Sequence, residues 1–451
     1  MRQWREAKAD HADSLLFFRV GDFYELFHDD AEEGARLLGL TLTSRNNGAA
    51  AGVPLAGVPA KALDEYLSKL VRMGRRVAIC DQVEDPSEAK GIVRREVTEM
   101  ITPGTVLADS LLMKHRNNFL VALVDAGTDS FGMAVLDVST GEMSTQLVPA
   151  SELRAELGRL EPSELLLPYS LETSDQLTWA AGPSIPRTLR ADWMFDADLS
   201  TDALLNSFGV HSLDGFGFQS EDQSLVRVSG ALVQYLKEIR PGGVLHLKPP
   251  RIRRPGQVML LDEMTRRNLE LIEPLRTGEE GGTLLDVLDV TTTPMGGRLL
   301  RRWVLEPLIH MEDIAVRHGA VEEFVERPEV RSRIRGSLSG ITDLERLAGK
   351  VGTGRVTPRD LAGLRRSLDQ LPEIQAAGIE ARDSLIRECA VDKDCLEDVS
   401  TLLKRAISDD PPATLQEGGV VKKGLVGRSG RASCSQRRST GLHSKSTGSR
   451  T

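Results

Sequence analysis

The sequence predicts a multidomain protein in which two α/β units precede an all-α unit. At 451 residues the chain exceeds the usual domain size of about 100–200 residues, which predicts roughly three units. Short apolar runs alternate with helical patterns up to the breaker Pro241-Gly242-Gly243, and apolar residues recur at helical spacing after it. We therefore expect units at 1–104, 105–243 and 244–424, followed by a tail at 425–451.

Composition and charge narrow the class of protein. Hydrophobic residues make up 40% and charged residues 27% of the chain, which is typical of a globular protein. The net charge of -9 and a pI near 5.6 argue against a histone-like positive coat, so nucleic-acid contacts must come from local basic faces. No signal-peptide layout or apolar run of about 20 residues occurs. Four cysteines without a CxxC pair indicate a reducing cytoplasm: Cys80, Cys389, Cys395 and Cys434.

The first unit is predicted to be a mixed α/β domain. Leu15–Val20 is a short apolar run typical of a buried strand, and a Gly-Asp turn follows it. Phe23 and Glu25 would then lie just beyond a strand, at a turn. Apolar spacing predicts the remaining elements: helices through 29–33 and over 62–73, and a strand at 77–80.

The second unit continues the α/β pattern. Phe119–Val124 and Met133–Val138 predict two strands that form a hairpin. A helix at 150–160 and a strand at 164–167 follow them. The unit is expected to end at the Pro-Gly-Gly breaker.

The third unit is predicted to be nearly all helix. One helical stripe consists of Leu260, Met264, Asn268, Leu271 and Leu275, and similar stripes recur at 298–304, 315–324 and 361–368. The chain shows no fixed-period repeat, so we expect a bundle or lever and not a solenoid.

The last residues, 425–451, differ from everything before them. They contain Ser, Gly, Lys and Arg without any acidic residue and cannot bury a core, so disorder is predicted. The abrupt change fits a frameshifted or truncated reading frame, which we favour, or a basic arm that binds nucleic acid.

The segment Gly21–Phe27 carries the clearest functional signal. An aromatic residue after a strand is usually part of a core, which is the simplest interpretation of Phe23. Glu25 makes a simple core less favoured than a binding role, because a carboxylate must be paired inside a core and is repelled by a DNA backbone. A displaced base would suit both residues: the ring can wedge between poorly stacked bases while the carboxyl hydrogen-bonds the base beside it.

The string Gly-Asp-Phe-Tyr-Glu-Leu-Phe at 21–27 resembles the mismatch-reading loop of the MutS DNA mismatch repair family. The resemblance continues through Ala56-Gly57-Val58-Pro59, Thr102-Pro103-Gly104-Thr105 and further strings to residue 423. It implies a mismatch-binding domain, a ribonuclease H-like connector and an incomplete helical core and lever domain. It also implies that Phe23 stacks on a mispaired base and that Glu25 hydrogen-bonds it.

One departure from the family string and one ambiguous basic cluster limit what the resemblance carries over. Ala60-Lys61-Ala62 stands where the family often has Tyr-His-Ala, so no family contact is assigned there. The basic residues Lys69, Arg72, Arg75 and Arg76 could contact phosphates or form a solvated face.

By the same resemblance, the full-length family uses ATP and magnesium, forms homodimers and works with a MutL-type repair partner. The Walker A string Gly-x-x-x-x-Gly-Lys-Ser/Thr does not occur in these 451 residues, and Gly349-Lys350 lacks its first glycine. We therefore expect an N-terminal part that ends before the clamp and ATPase domains, with no cofactor and no ATPase activity of its own.

Two other functions remain open. Asp125, Asp137 and Glu142 could supply carboxylates for a metal-dependent nuclease, although two-metal chemistry needs several converging acids. Alternatively, the chain could be an inactive remnant or a protein-interaction module of the repair system.

Overall fold

The structure is a computed structural model that describes residues 1–44, 52–84, 91–127, 129–182, 185–240, 246–276, 281–413 and 415–422. The breaker at 241–243 and the tail at 425–451 lie outside the described residues. Their predicted roles therefore stay predictions.

The first sheet has six strands in the order β3-β4-β2-β1-β5-β6. They are β1 Leu15–Val20, β2 Phe23–Phe27, β3 Thr43–Ser44, β4 Pro54–Pro59, β5 Val77–Gln82 and β6 Arg95–Ile101, with helices α1 Arg2–Asp10, α2 Asp29–Leu38 and α3 Leu63–Arg72. All neighbours pair antiparallel except β1 and β5. The predicted mixed α/β character and its helices are confirmed.

One local prediction was wrong. Phe23 and Glu25 do not lie at a turn, because pairing resumes at once and joins Val20 to Phe23 across the two-residue turn Gly21-Asp22. Gly21 adopts a φ of +60°, a conformation that glycine reaches without a Cβ penalty. Both residues are thus part of strand β2.

The second sheet also has six strands, in the order β11-β10-β7-β8-β9-β12. They are β7 Leu120–Gly127, β8 Ser130–Asp137, β9 Glu142–Pro149, β10 Glu164–Pro168, β11 Arg187–Arg190 and β12 Arg251–Ile252. The associated helices are α4 Ala150–Leu160, α5 Asp175–Ala181, α6 Ala197–Phe208 and α7 Gln223–Ile239. The predicted hairpin is β7–β8, and β10 and β11 extend it in parallel. β12 lies after residue 243 and still pairs with β9.

Alternation along the strands separates two cores in the second sheet. Leu120 and Leu136 face α7, while Val121 and Met133 face α4 and α5. The α7 side is part of a larger apolar cluster that also contains Phe18 and other residues of the first sheet. The two sheets therefore share one continuous core.

The rest of the described chain is helical. The helices are α8 Glu263–Asn268, α9 Leu284–Leu288, α10 Pro294–Leu305, α11 Met311–Glu326, α12 Pro328–Leu338, α13 Leu344–Gly352, α14 Pro358–Leu368, α15 Leu371–Ile379, α16 Ser384–Ala390 and α17 Glu397–Ala406. The all-α prediction holds, but the stripe from Leu260 to Leu275 was only partly right. Asp262 caps α8 by accepting the Thr265 N–H, and helix α8 ends at Asn268, before Leu271.

The helical part has small apolar clusters, such as the one around Ala320 and the one around Leu368. Large apolar side chains are exposed on its helices, including Met311 at 77%, Val325 at 66% and Leu402 at 61%. None of the helices in the described ranges combines the length and apolar character that a bilayer crossing needs.

Candidate nucleic-acid interface

The β1–β2 hairpin that carries Phe23 is fixed by hydrogen bonds at its tip. The Ala60 N–H donates to the Asp22 carbonyl oxygen at 2.8 Å, which ties the turn to the end of β4. Arg19 Nε donates to the Gly21 carbonyl oxygen at 2.5 Å, and Arg95 Nε donates to the Arg19 carbonyl oxygen at 2.6 Å. The tip is thus held in one position before any ligand arrives.

One face of strand β2 is buried, and the other, called here the open face, is exposed at Phe23 near the hairpin tip and buried again at Phe27. Tyr24 and Leu26 are buried, and the Tyr24 hydroxyl donates to Asp81 at 2.9 Å. Burial raises the pKa of Tyr24, so its hydroxyl remains a donor at neutral pH. On the other face, Phe23 is 49% exposed, which contradicts the simple interpretation of this ring as core.

Glu25 lies on the same face as Phe23, about 7 Å along the strand. It is half-buried between two very different neighbours, because the register sets it opposite Phe18 on β1 and opposite Gly57 on β4. Phe18 is buried, whereas Gly57 is exposed and has no side chain. The open face therefore combines an exposed ring with a carboxylate that can be approached from the β4 side.

Cys80 on β5 lies beside Phe18 in the same sheet. Burial raises the pKa of its thiol to about 12, so the thiol is protonated at neutral pH. It packs in the same apolar cluster as Phe18 and contributes no reactive group.

The predicted basic cluster is largely occupied with ion pairs inside the protein. Lys69 pairs with Glu65 at 3.0 Å, Arg75 pairs with Glu33 at 2.9 Å, and Arg76 pairs with Asp13. These contacts favour the solvated-face interpretation over phosphate binding. Ala60–Ala62, the departure from the family string, forms a short 3-10 turn.

The nuclease alternative fails on geometry. Asp125 pairs with Phe131 near the start of β8, whereas Asp137 ends β8, so the two carboxylates lie about 20 Å apart. Asp137 is buried and accepts from Ser139, and Glu142 pairs with Arg302. Within the described ranges, no group of three or more His, Cys, Asp or Glu side chains could hold a metal ion.

Gly349 and Lys350 lie inside α13 and not in a phosphate-binding loop. Lys350 Nζ contacts Asp109 at 2.5 Å and Asp360 at 3.1 Å. This lysine therefore joins α13 to neighbouring segments.

Sequence reasoning missed a buried joint between the two sheets. Glu164, at the start of β10, is fully buried and accepts hydrogen bonds from four groups. The Thr102 hydroxyl and the Gly104 N–H come from the end of the first sheet, while the Thr188 and Tyr235 hydroxyls come from the second unit. The only signal in the sequence was the Thr-Pro-Gly-Thr string, which was noted for its resemblance alone.

A second link missed from the sequence joins three parts of the chain. Glu99 on β6 pairs with Arg240, just after α7, at 3.2 Å and with Arg355, just after α13. Burial lowers the pKa of Arg240 to about 10, although Glu99 opposes this shift, so Arg240 remains charged at neutral pH. Arg240 also donates to the Thr105 carbonyl oxygen at 3.1 Å.

Comparison with known proteins agrees with this architecture. Three family models match the chain: MutS domain I over residues 1–110, MutS domain II over 118–248 and MutS domain III over 264–444. Similar proteins named "DNA mismatch repair protein MutS" come from Symbiobacterium thermophilum (43% identical over 438 residues), Methanothrix thermoacetophila (41% over 429) and Chlorobaculum tepidum (40% over 428). These matches cover 94% of this chain and 48–49% of each relative, so the chain spans about half of their length. The chain belongs to the MutS family.

Proposed function

We propose that this chain acts in DNA mismatch repair by recognising mispaired or unpaired bases in duplex DNA. The observation that carries the proposal is the exposed ring of Phe23 at the head of β2, with the Glu25 carboxylate two positions along the same face. Its relatives named as mismatch repair proteins support the same role.

The chemistry follows from what each group can do. Phe23 enters the stack from a hairpin tip that is already fixed, so little ordering is required on binding. A mispaired step unstacks at a lower cost than a paired one, which makes insertion selective for the defect. Glu25 then accepts a hydrogen bond from the displaced base, while its charge repels intact backbone.

The decisive experiment measures binding of the 451-residue chain to a homoduplex, a G·T mismatch and a single-base bulge. Phe23→Ala should weaken binding to the two defective duplexes by about 5- to 150-fold, because stacking a base on an aromatic ring contributes roughly 1–3 kcal/mol. Binding to the homoduplex should change little.

Trp193→Ala provides the matched control, because Trp193 is 61% exposed but lies in the second unit. It should bind all three duplexes as the wild type does. Equal and salt-sensitive affinity of the wild-type chain for all three duplexes would rule out specific recognition and leave only phosphate attraction.

We assign the units as follows. Residues 1–104 would be the mismatch-recognition domain, 105–243 the connector and 244–424 the core and lever domain. The antiparallel strands β7–β9, extended in parallel by β10 and β11, support a ribonuclease H-like connector. ATP and magnesium remain predictions for the full-length family, and none is predicted for this chain. The MutL-type partner, the family homodimer and the cytoplasmic location also stay predictions.

One observation favours the second candidate, a protein-interaction module. Tyr169 and Trp193 are 56% and 61% exposed and follow the neighbouring parallel strands β10 and β11. Ser170 donates to Asp192 at 2.7 Å, which brings the two aromatic residues together at one sheet edge. Tyrosine and tryptophan are enriched in binding hot spots. If this edge binds a repair partner, Trp193→Ala should weaken that complex and leave DNA binding intact.

A further inference from the structure

Gly57 occupies an interior position of β4 where packing does not require a glycine. Its backbone lies outside the left-handed region, and an added Cβ would lie 3.7 Å from the Tyr24 carbonyl oxygen and 3.9 Å from Glu25 Cγ. Both distances are ordinary contacts, and no closer described atom restricts the position. A glycine inside a strand weakens that strand, so its presence here needs another reason.

Gly132 in β8 shows what a packing requirement looks like. A Cβ there would approach the Ser224 carbonyl oxygen to 2.9 Å, so α7 could not pack as closely against the sheet. Gly57 has no comparable neighbour among the described residues. Packing inside the described fold therefore does not account for its lack of a side chain.

The strand register indicates another reason for the glycine. Gly57 pairs directly with Glu25, and paired residues of antiparallel strands project to the same face. On the β1 side, Glu25 is paired with the buried residue Phe18, and the Arg95 guanidinium covers the Phe18 ring at 5.4 Å. The side next to Gly57 is exposed. A ligand that approaches Glu25 therefore meets the least steric obstruction on the side where Gly57 lies.

We propose that Gly57 is a specificity-determining residue: it leaves room for the displaced base of a mismatch, with its sugar, to reach the Glu25 carboxylate. This inference rests on the proposed function and deepens it. Hydrogen bonds to a carboxylate need a donor within about 3 Å, and a methyl group beside Glu25 would hold a flat base beyond that distance. Glycine at this position therefore permits backbone and base to approach closely.

The test uses the 451-residue chain with a G·T duplex and the matching homoduplex. Gly57→Ala should lower affinity for the G·T duplex about ten-fold, the scale of losing one charge-assisted hydrogen bond, and Gly57→Val should lower it further. Homoduplex affinity and the thermal midpoint should stay at the wild-type values. Gly336→Ala is the control, since its added methyl meets no described atom within 4 Å and lies on helix α12.

A double-mutant cycle isolates the mechanism. In a Glu25→Ala background, Gly57→Ala should have no further effect, because the blocked contact is already absent. The inference is overturned if Gly57→Ala binds the G·T duplex normally, loses the same affinity without Glu25, or unfolds the chain. Phe23→Ala distinguishes failure of this inference from failure of the proposed function. If Phe23→Ala weakens mismatch binding while Gly57→Ala does not, the inference fails and the proposed function stands. If Phe23→Ala has no effect, the proposed function fails.

Discussion

At the scale of single residues, the roles proposed for Phe23 and Glu25 depend on different physical interactions. The ring contributes contact area and stacking, and its effect depends little on salt. The carboxylate contributes an acceptor and a negative charge, and the charge is felt by every phosphate within about one Debye length. Substitutions that separate charge from shape can therefore resolve the two contributions of Glu25.

Glu25→Gln keeps the size of the side chain and removes its charge. We expect homoduplex affinity to rise about two- to five-fold at low salt, because one repulsion of the DNA backbone is lost. The ratio of mismatch to homoduplex affinity should fall. Fluorescence anisotropy titrations at two salt concentrations measure both quantities.

Glu32→Gln is the control for that experiment. Glu32 is an exposed acid on α2, so its substitution makes the same change in net charge away from the open face of β2. If both variants raise homoduplex affinity equally, the effect belongs to net charge and not to the position of Glu25.

The residue scale also shows how far the sequence could lead. The Gly-Asp-Phe-Tyr-Glu-Leu-Phe string was enough to select Phe23 and Glu25, but not to assign them to a strand. A Gly-Asp pair indicates a turn, and local pattern alone does not say that pairing resumes one residue later. The sequence could not assign a role to Gly57, because the role proposed for it depends on pairing with Glu25, 32 positions away in sequence.

At the scale of elements, the Glu164 joint between the sheets has a measurable energetic role. In Glu164→Gln the amide NH₂ would face hydrogen-bond donors from Thr102 and Gly104 or from Thr188 and Tyr235. Leaving a buried donor unsatisfied costs about 1–3 kcal/mol. Chemical denaturation should therefore show a lower free energy of unfolding by that amount.

Two further variants serve as comparisons for the Glu164→Gln measurement. Tyr235→Phe removes one donor and leaves the carboxylate with the others, so a smaller loss of about 0.5–1.5 kcal/mol is expected. Glu172→Gln changes an exposed acid nearby in sequence and should have no effect. A Glu164→Gln variant as stable as wild type would show that the joint is not needed for stability.

Elements with strong local patterns were predicted well, and contacts between them were not. The helix predicted around Ala150–Leu160 is confirmed, because its apolar spacing is local. The stripe from Leu260 to Leu275 failed because helix α8 ends at Asn268 and the chain turns, with Glu270 at a positive φ of 46°. Apolar periodicity indicates which residues could share one face of a helix, but it does not indicate where the helix ends.

At the scale of the whole molecule, stability is unevenly distributed. One apolar cluster joins the two sheets, whereas the helical part relies on small clusters such as those at Ala320 and Leu368. Limited proteolysis at native pH should cut the helical part first and release a resistant N-terminal fragment of about 240 residues, because opening costs least where little apolar area is buried. Mass spectrometry identifies the fragment, and its absence would contradict this prediction.

The contact between the second sheet and the helical part should depend on pH. Burial raises the pKa of Glu142, but the hydrogen bonds and positive charges of Arg302 on α10 and of Lys248 together outweigh burial, so the pKa is lowered. A lowered pKa in the folded state gives stabilisation that is present above pH about 4.5 and is lost as pH falls further. The thermal midpoint should therefore decrease between pH 5 and pH 3, on the pKa scale of a carboxyl group.

Arg302→Gln tests this assignment, because it removes the partner that contributes most to lowering the pKa of Glu142. Its thermal midpoint should be lower at pH 7 and should change less between pH 5 and pH 3 than that of the wild type. Arg405→Gln, at an exposed position on α17, should retain the wild-type slope. An unchanged slope in Arg302→Gln would remove Glu142 as the source of acid sensitivity.

The core shared by the two sheets has a consequence for synthesis on the ribosome. The last strand of the first sheet ends at Ile101, but the apolar cluster on the Phe18 face of that sheet includes α7 residues up to Ile239. At roughly 5–20 residues per second, the ribosome needs about 7–28 s to add the intervening 138 residues. During that interval the face of the first sheet that packs towards α7 lacks its partner, so its apolar side chains are exposed until α7 emerges.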